Sequence, residues 1–146
     1  MGKPVNITLS VRASALYNAN PQPADQTALD TYCSLEDNNN GAIPPGKTLN
    51  DFTSQVYKDQ LVTWLINNSG TDNYQVKILS VVNSSDPPFF NPSTISAPQG
   101  GAASVNGTCN VNSGSDTYTI NFKVTLPGSK GGTKNYSLDP KLGGNP

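Results

Sequence analysis

The side chains that could do covalent or metal chemistry in this 146-residue chain are few: Cys33 and Cys109, one glutamate at Glu36, and a scatter of aspartates, with no histidine at all. Loss of histidine removes the commonest general base and the commonest metal ligand together. Ser-His-Asp and Cys-His catalysis are excluded, as are histidine-ligated zinc and blue copper. Paired carboxylates hydrolyse glycosides without histidine, but Glu36 has no second glutamate, and Asp25, Asp30, Asp37, Asp59 and Asp139 are explained as turn or loop residues. The expectation is no catalytic residue, no metal and no cofactor.

Glu36-Asp37-Asn38-Asn39-Asn40-Gly41 offers oxygens before a glycine in the manner of a calcium loop, yet Lys47 stands at the twelfth position where a bidentate Glu belongs. A polar turn is the simpler account. Cys33 and Cys109 lie in alternating segments, and two readings stay open. A disulfide between sheets would close a long loop for on the order of 3–5 kcal/mol in an exported protein. Otherwise they are two buried free thiols, neither activated by a neighbouring His or a CxxC partner.

The elements that would position these residues read as strands. Leu61–Ile66, with the chain's only Trp at Trp64, is a short apolar run ended by Asn67-Asn68-Ser69-Gly70, and predicts a strand buried on both faces. Trp64 is the expected core anchor. Val5–Val11 alternates strictly and puts Val5, Ile7, Leu9 and Val11 on one face; Asp116–Leu126 does the same with Tyr118, Ile120, Phe122, Val124 and Leu126. Weaker strands are predicted over Thr27–Leu35, Val56-Tyr57, Tyr74–Val82, Val105–Val111 and Lys134–Leu138. Gly70–Asn73 suggests a hairpin joining the tryptophan strand to the next.

Tyr17–Asp25 reads as a Pro-containing loop, Asn83–Gly101 as a long crossover between sheets, and Gly143–Pro146 as a fraying tail. Phe89 and Phe90, inside the crossover, either plug the end of the core or present an apolar patch. About seven or eight strands without a credible amphipathic helix argue an all-β, antiparallel Greek-key β-sandwich, of immunoglobulin or cupredoxin type, as a single domain over 1–146.

Composition agrees: 34% hydrophobic and 13% charged residues leave room for the Asn, Ser, Thr, Gly and Pro of many polar turns. A net charge of −1 with nine scattered basic residues shows no footprint for nucleic acid or anionic lipid. Lys123, Lys130, Lys134 and Lys141 gather towards the C-terminus but read as a solvated surface. No run reaches the ~18–20 apolar residues needed to cross a bilayer, and the start leads directly into a strand. A cytoplasmic protein is the first expectation; a mature exported one that has lost its signal peptide is the alternative.

Two resemblances rest on short motifs. Val56–Ile66, VYKDQLVTWLI, resembles the cupredoxin-type hairpin in which an acidic turn leads into a V-x-W strand, though copper ligands are missing. Along nearly the whole chain, the alternating strand and Pro-containing loop at Val5–Pro23, the turn and tryptophan strand at Lys58–Ile66, and the ending at Phe122–Val124 and Tyr136–Pro140 resemble the bacterial inclusion-body proteins of the PixA/AidA type. Lys58-Asp59 replaces that family's usual Gly-Asp, and Leu138 stands where a Trp or similar residue is usual. The resemblance implies a small intracellular bacterial β-sandwich with no established enzymatic activity that self-associates or accumulates. Two functions follow. One is a non-catalytic, self-associating structural or accumulation protein forming a homo-oligomer or larger assembly. The other is a binding module for a carbohydrate or small molecule, contacting it through Tyr17, Tyr32, Phe89 or Phe90 with Asn and Asp partners.

Overall fold

The computed structural model describes residues 2–19, 26–39, 41, 43, 45–85, 87–128 and 132–146. The fold is all-β. Eleven strands, β1 (Val5–Val11), β2 (Cys33–Asp37), β3 (Thr53–Tyr57), β4 (Leu61–Asn68), β5 (Gln75–Val82), β6 (Thr94–Ser96), β7 (Ser104–Thr108), β8 (Ser115–Thr117), β9 (Thr119–Thr125), β10 (Thr133–Leu138) and β11 (Lys141–Asn145), accompany two short helices, α1 (Ala13–Tyr17) and α2 (Gln26–Tyr32).

Three sheets share one hydrophobic core, with strand orders β2-β1-β4-β7, β10-β9-β5-β6 and β3-β11-β8. The third continues the second around a bend. β8 and β9 are separated only by Tyr118, β10 and β11 only by Asp139-Pro140, and the Tyr118 N–H donates to the Pro140 carbonyl at 2.9 Å. One long hairpin therefore serves two sheets. Pairing is mostly antiparallel, but β1–β4 and β3–β11 run parallel, so the first and third sheets are mixed, while the second is antiparallel throughout as expected.

The two cleanly alternating segments are strands as predicted: Val5, Ile7, Leu9 and Val11 on β1, and Ile120, Phe122 and Val124 on β9, all point into the core. Five expectations are corrected. The tryptophan strand buries one face only, through Val62, Trp64 and Ile66, while Leu61 is 42% exposed. β4 and β5 lie in different sheets, so Gly70–Asn73 spans the sandwich and does not close a hairpin; likewise β3 pairs with β11, so Lys58-Asp59 turns the chain from one sheet to another and the cupredoxin-like hairpin is not formed. Thr27–Leu35 is mostly α2, with β2 starting at Cys33. Leu29 and Cys33 are four apart, a spacing that fits a helical stripe as well as alternation, and so short a window cannot separate the two. Finally, the C-terminal residues are tied down. Leu142 is buried, and Asn145 Nδ2 donates to Gln55 Oε1 at 2.8 Å and to the Val56 carbonyl at 3.1 Å.

The crossover carries the chain from β5 to β7, contributing β6 on the way. It also closes one flank: Ala102 exchanges backbone bonds with Ile78, and the Ala103 carbonyl accepts from Ile66 N–H at 3.0 Å. Gly101 is required there, because its φ is +88° and a Cβ would lie 2.7 Å from the Lys77 Cβ. On the opposite flank α1 stands against β10. Lys134 Nζ donates to the Tyr17 carbonyl at 2.7 Å, and the Tyr136 hydroxyl to the Leu16 carbonyl at 3.4 Å.

Candidate functional site

Trp64 sits at the centre of the interior. Its Nε1–H donates to the Tyr118 hydroxyl at 3.1 Å, and its ring meets Phe90 edge-on at 5.3 Å and Tyr118 at 5.7 Å between centroids. Burial pushes the Tyr118 phenol far above its ordinary value, so it stays protonated. Phe89 and Phe90 are fully buried plugs of this core and form no exposed patch.

Tyr17 and Tyr32 lie elsewhere. Tyr17 packs edge-on against Tyr74 at 5.4 Å with Lys134 4.2 Å above its ring, and Tyr32 lies under Arg12 at 5.8 Å. The four aromatics nominated for ligand contact are therefore not brought together.

Cys33 and Cys109 are buried free thiols. Cys33 pairs with Val11, level with the Asn68 end of β4; Cys109 pairs with Gln60, beyond the other end. A strand length and two intervening strands put them more than about 20 Å apart, whereas a disulfide needs Cα atoms within about 7 Å. The two are not bridged. Burial, with the nearby Asp30 charge, pushes the Cys33 thiol up to about 12, and burial likewise raises Cys109. Neither is a nucleophile at neutral pH.

A half-open groove of about 390 Å³ is lined among others by Lys58, Ser85, Phe89, Asn110, Val111 and Ser115. Three chain segments shape it. The Lys58-Asp59 turn places Asp59 in the left-handed region at φ 67°, and backbone bonds from Asp59 N to Cys109 O (2.8 Å) and from Cys109 N to Gln60 O (3.0 Å) fasten it. Asn110 N donates to the Phe89 carbonyl at 2.7 Å, joining the second segment to the crossover. Gly114, at φ +91°, turns the chain into β8. The Lys58–Asp59 ion pair at 3.4 Å is exposed and contributes little.

Behind the groove lies a polar corner. Asp116 is buried, with one carboxylate oxygen accepting from the Ser84 N–H and hydroxyl, both at 3.1 Å, while its Oδ2 has no partner. Asn83 Oδ1 and Nδ2 and Ser85 Oγ are likewise buried and unpartnered. All the unsatisfied side-chain atoms among the described residues thus fall in 83–85 and the carboxylate that this segment holds.

Sequence reasoning did not single out Asp116, Asn83 or Ser85. A signal for Asp116 existed: it shares the parity of Tyr118, Ile120 and Phe122, which places a carboxylate on the inward face. The groove has no nucleophile paired with a base, and no cluster of three His, Cys, Asp or Glu that could hold a metal occurs among the described residues. No helix of the described residues is long and apolar enough to cross a membrane. What the groove can do is bind: it combines one cation, amides, hydroxyls and an aromatic floor.

The fold and groove define an all-β sandwich with a shallow polar cleft. No family model matches the sequence, and no curated protein matches it. Among solved structures, the chain is similar to an inclusion body protein (PixA) from Burkholderia cenocepacia, with a TM-score of 0.70 over 99% of this chain and 96% of that one, at 9% sequence identity. At that identity the likeness shows a shared fold.

Proposed function

We propose that this is a non-catalytic structural or accumulation protein of the inclusion-body type, acting in the bacterial cytoplasm by associating with copies of itself through its outer surface. The observation that carries this reading is the end-to-end likeness of its fold to an inclusion body protein, with almost nothing left over on either chain. Support comes from the lack of histidine, from two thiols held protonated by burial, and from a charge near neutrality that opposes association only weakly. Mass in solution measured across a concentration series tests it: oligomers growing with concentration are expected, and a strict monomer at millimolar concentration would sink it.

A second reading is favoured by the groove itself, whose volume falls in the range of small-molecule sites. Here the protein is a binding module for a carbohydrate or other small polar molecule, with Lys58, Asn110 and the neighbouring hydroxyls as partners. A glycan screen run with and without calcium, returning no hit, would discard it.

A further inference from the structure

We infer that copies of this chain join edge to edge through β10, antiparallel across a two-fold axis at Asn135, so that two four-stranded sheets become one of eight. The inference rests on the self-association proposed above and supplies its surface.

Register identifies the free groups. Leu126 N–H donates to the Gly132 carbonyl and Tyr118 N–H to the Pro140 carbonyl, which makes residues 134, 136 and 138 the ones that exchange bonds with β9. The N–H and C=O groups of Thr133, Asn135 and Ser137 therefore point outward, and no hydrogen bond among the described residues reaches them. A second β10 about a two-fold at Asn135 sets Thr133 opposite Ser137 of the other copy and Asn135 opposite itself. That arrangement satisfies these groups with up to about six backbone bonds.

The exposed side chains agree. Thr133, Asn135 and Ser137 are neutral hydrogen-bonding residues, and Thr/Ser pairs facing each other across strands are favourable. Lysine commonly guards such an edge, but the one lysine of β10 is diverted: Lys134 Nζ is bound to the Tyr17 carbonyl and lies over the Tyr17 ring. Among the described residues of this face, Lys123 of each copy would stand three strand spacings or about 14 Å from the other, beyond the screening length at physiological salt.

Other edges are protected. β2 carries Glu36 and Asp37 and runs beside the segment holding Lys47 and Leu49. The outward carbonyl of Gln55 on β3 is taken by Asn39 Nδ2 at 2.9 Å, and that of Thr117 on β8 by the Ser84 hydroxyl. β6 has only three residues. β7 is the nearest rival, being neutral, but it is shorter than β10 and weakened by Gly107.

Sedimentation of the full chain tests this. Thr133→Lys with Ser137→Lys sets two like-charge pairs face to face and is expected to weaken association about tenfold or more. Thr133→Lys with Ser137→Glu makes both pairs attractive and should restore or strengthen it, while Ser104→Lys with Thr108→Lys on β7 should change nothing. Trp64 fluorescence reports whether each variant is folded. If the unmodified chain is a monomer throughout, the self-association proposal itself fails. If it associates but the double-lysine β10 variant does so equally well, or the Lys/Glu variant is as dissociated as the Lys/Lys one, the β10 inference alone is overturned.

Discussion

Two buried polar places in this molecule are treated in opposite ways. At Trp64 the indole N–H and the Tyr118 hydroxyl find each other at 3.1 Å in the middle of an aromatic cluster. At the corner formed by Asn83, Ser85 and Asp116, polar atoms are also buried but several go without a partner. An unpaired buried group costs about 1–3 kcal/mol. The interior is thus tuned for stability, while the corner behind the groove gives some up.

Substitutions can sharpen or break that contrast. Trp64→Ala is expected to have the largest effect, about 3–5 kcal/mol by urea unfolding, since it removes the largest buried side chain and leaves Tyr118 unpartnered. Alkaline pH should come next. The Cys33 thiol is held near 12 against an ordinary 9.0, and Cys109 and Tyr118 are also raised, all by burial first. A raised folded value means stability that is whole below the unfolded pKa and is lost as pH climbs through the folded one. The midpoint of thermal unfolding should therefore fall steadily above pH 9, towards about 12 where Cys33 titrates. Both thiols should resist alkylation at pH 8 until the protein is unfolded.

Tyr118→Phe is smaller, about 1–3 kcal/mol, because it orphans the Trp64 N–H without opening a large cavity. Asp116→Asn should be the smallest. It keeps an oxygen for Ser84 and removes a buried charge, so denaturant stability should stay within about 1 kcal/mol of the parent or rise. A loss as large as that of Tyr118→Phe would show that the corner is as fully satisfied as the interior, and would end the comparison.

Much of the core was legible because alternation is a local property. Val5–Val11 and Tyr118–Val124 declare their inward faces residue by residue, and Trp64 declares itself by size. The same logic extends to Asp116, whose parity with Tyr118 and Ile120 points inward, but alternation was read there for apolar residues only. The helix α2 was lost because Leu29 and Cys33 satisfy two periods at once. The separation of β4 from β5 was lost because a short polar linker looks alike whether it closes a hairpin or crosses a sandwich.

Residue types alone determined that this chain folds as layered strands around one indole and that histidine chemistry is closed to it. Those conclusions depend on local spacing and on what is present or missing. Only tertiary structure decided which strands became neighbours, how the hairpin bends at Tyr118 to serve two sheets, and that Lys134 leaves its own edge for Tyr17. Such outcomes follow from contacts between residues far apart along the chain, where geometry, not periodicity, selects the partner.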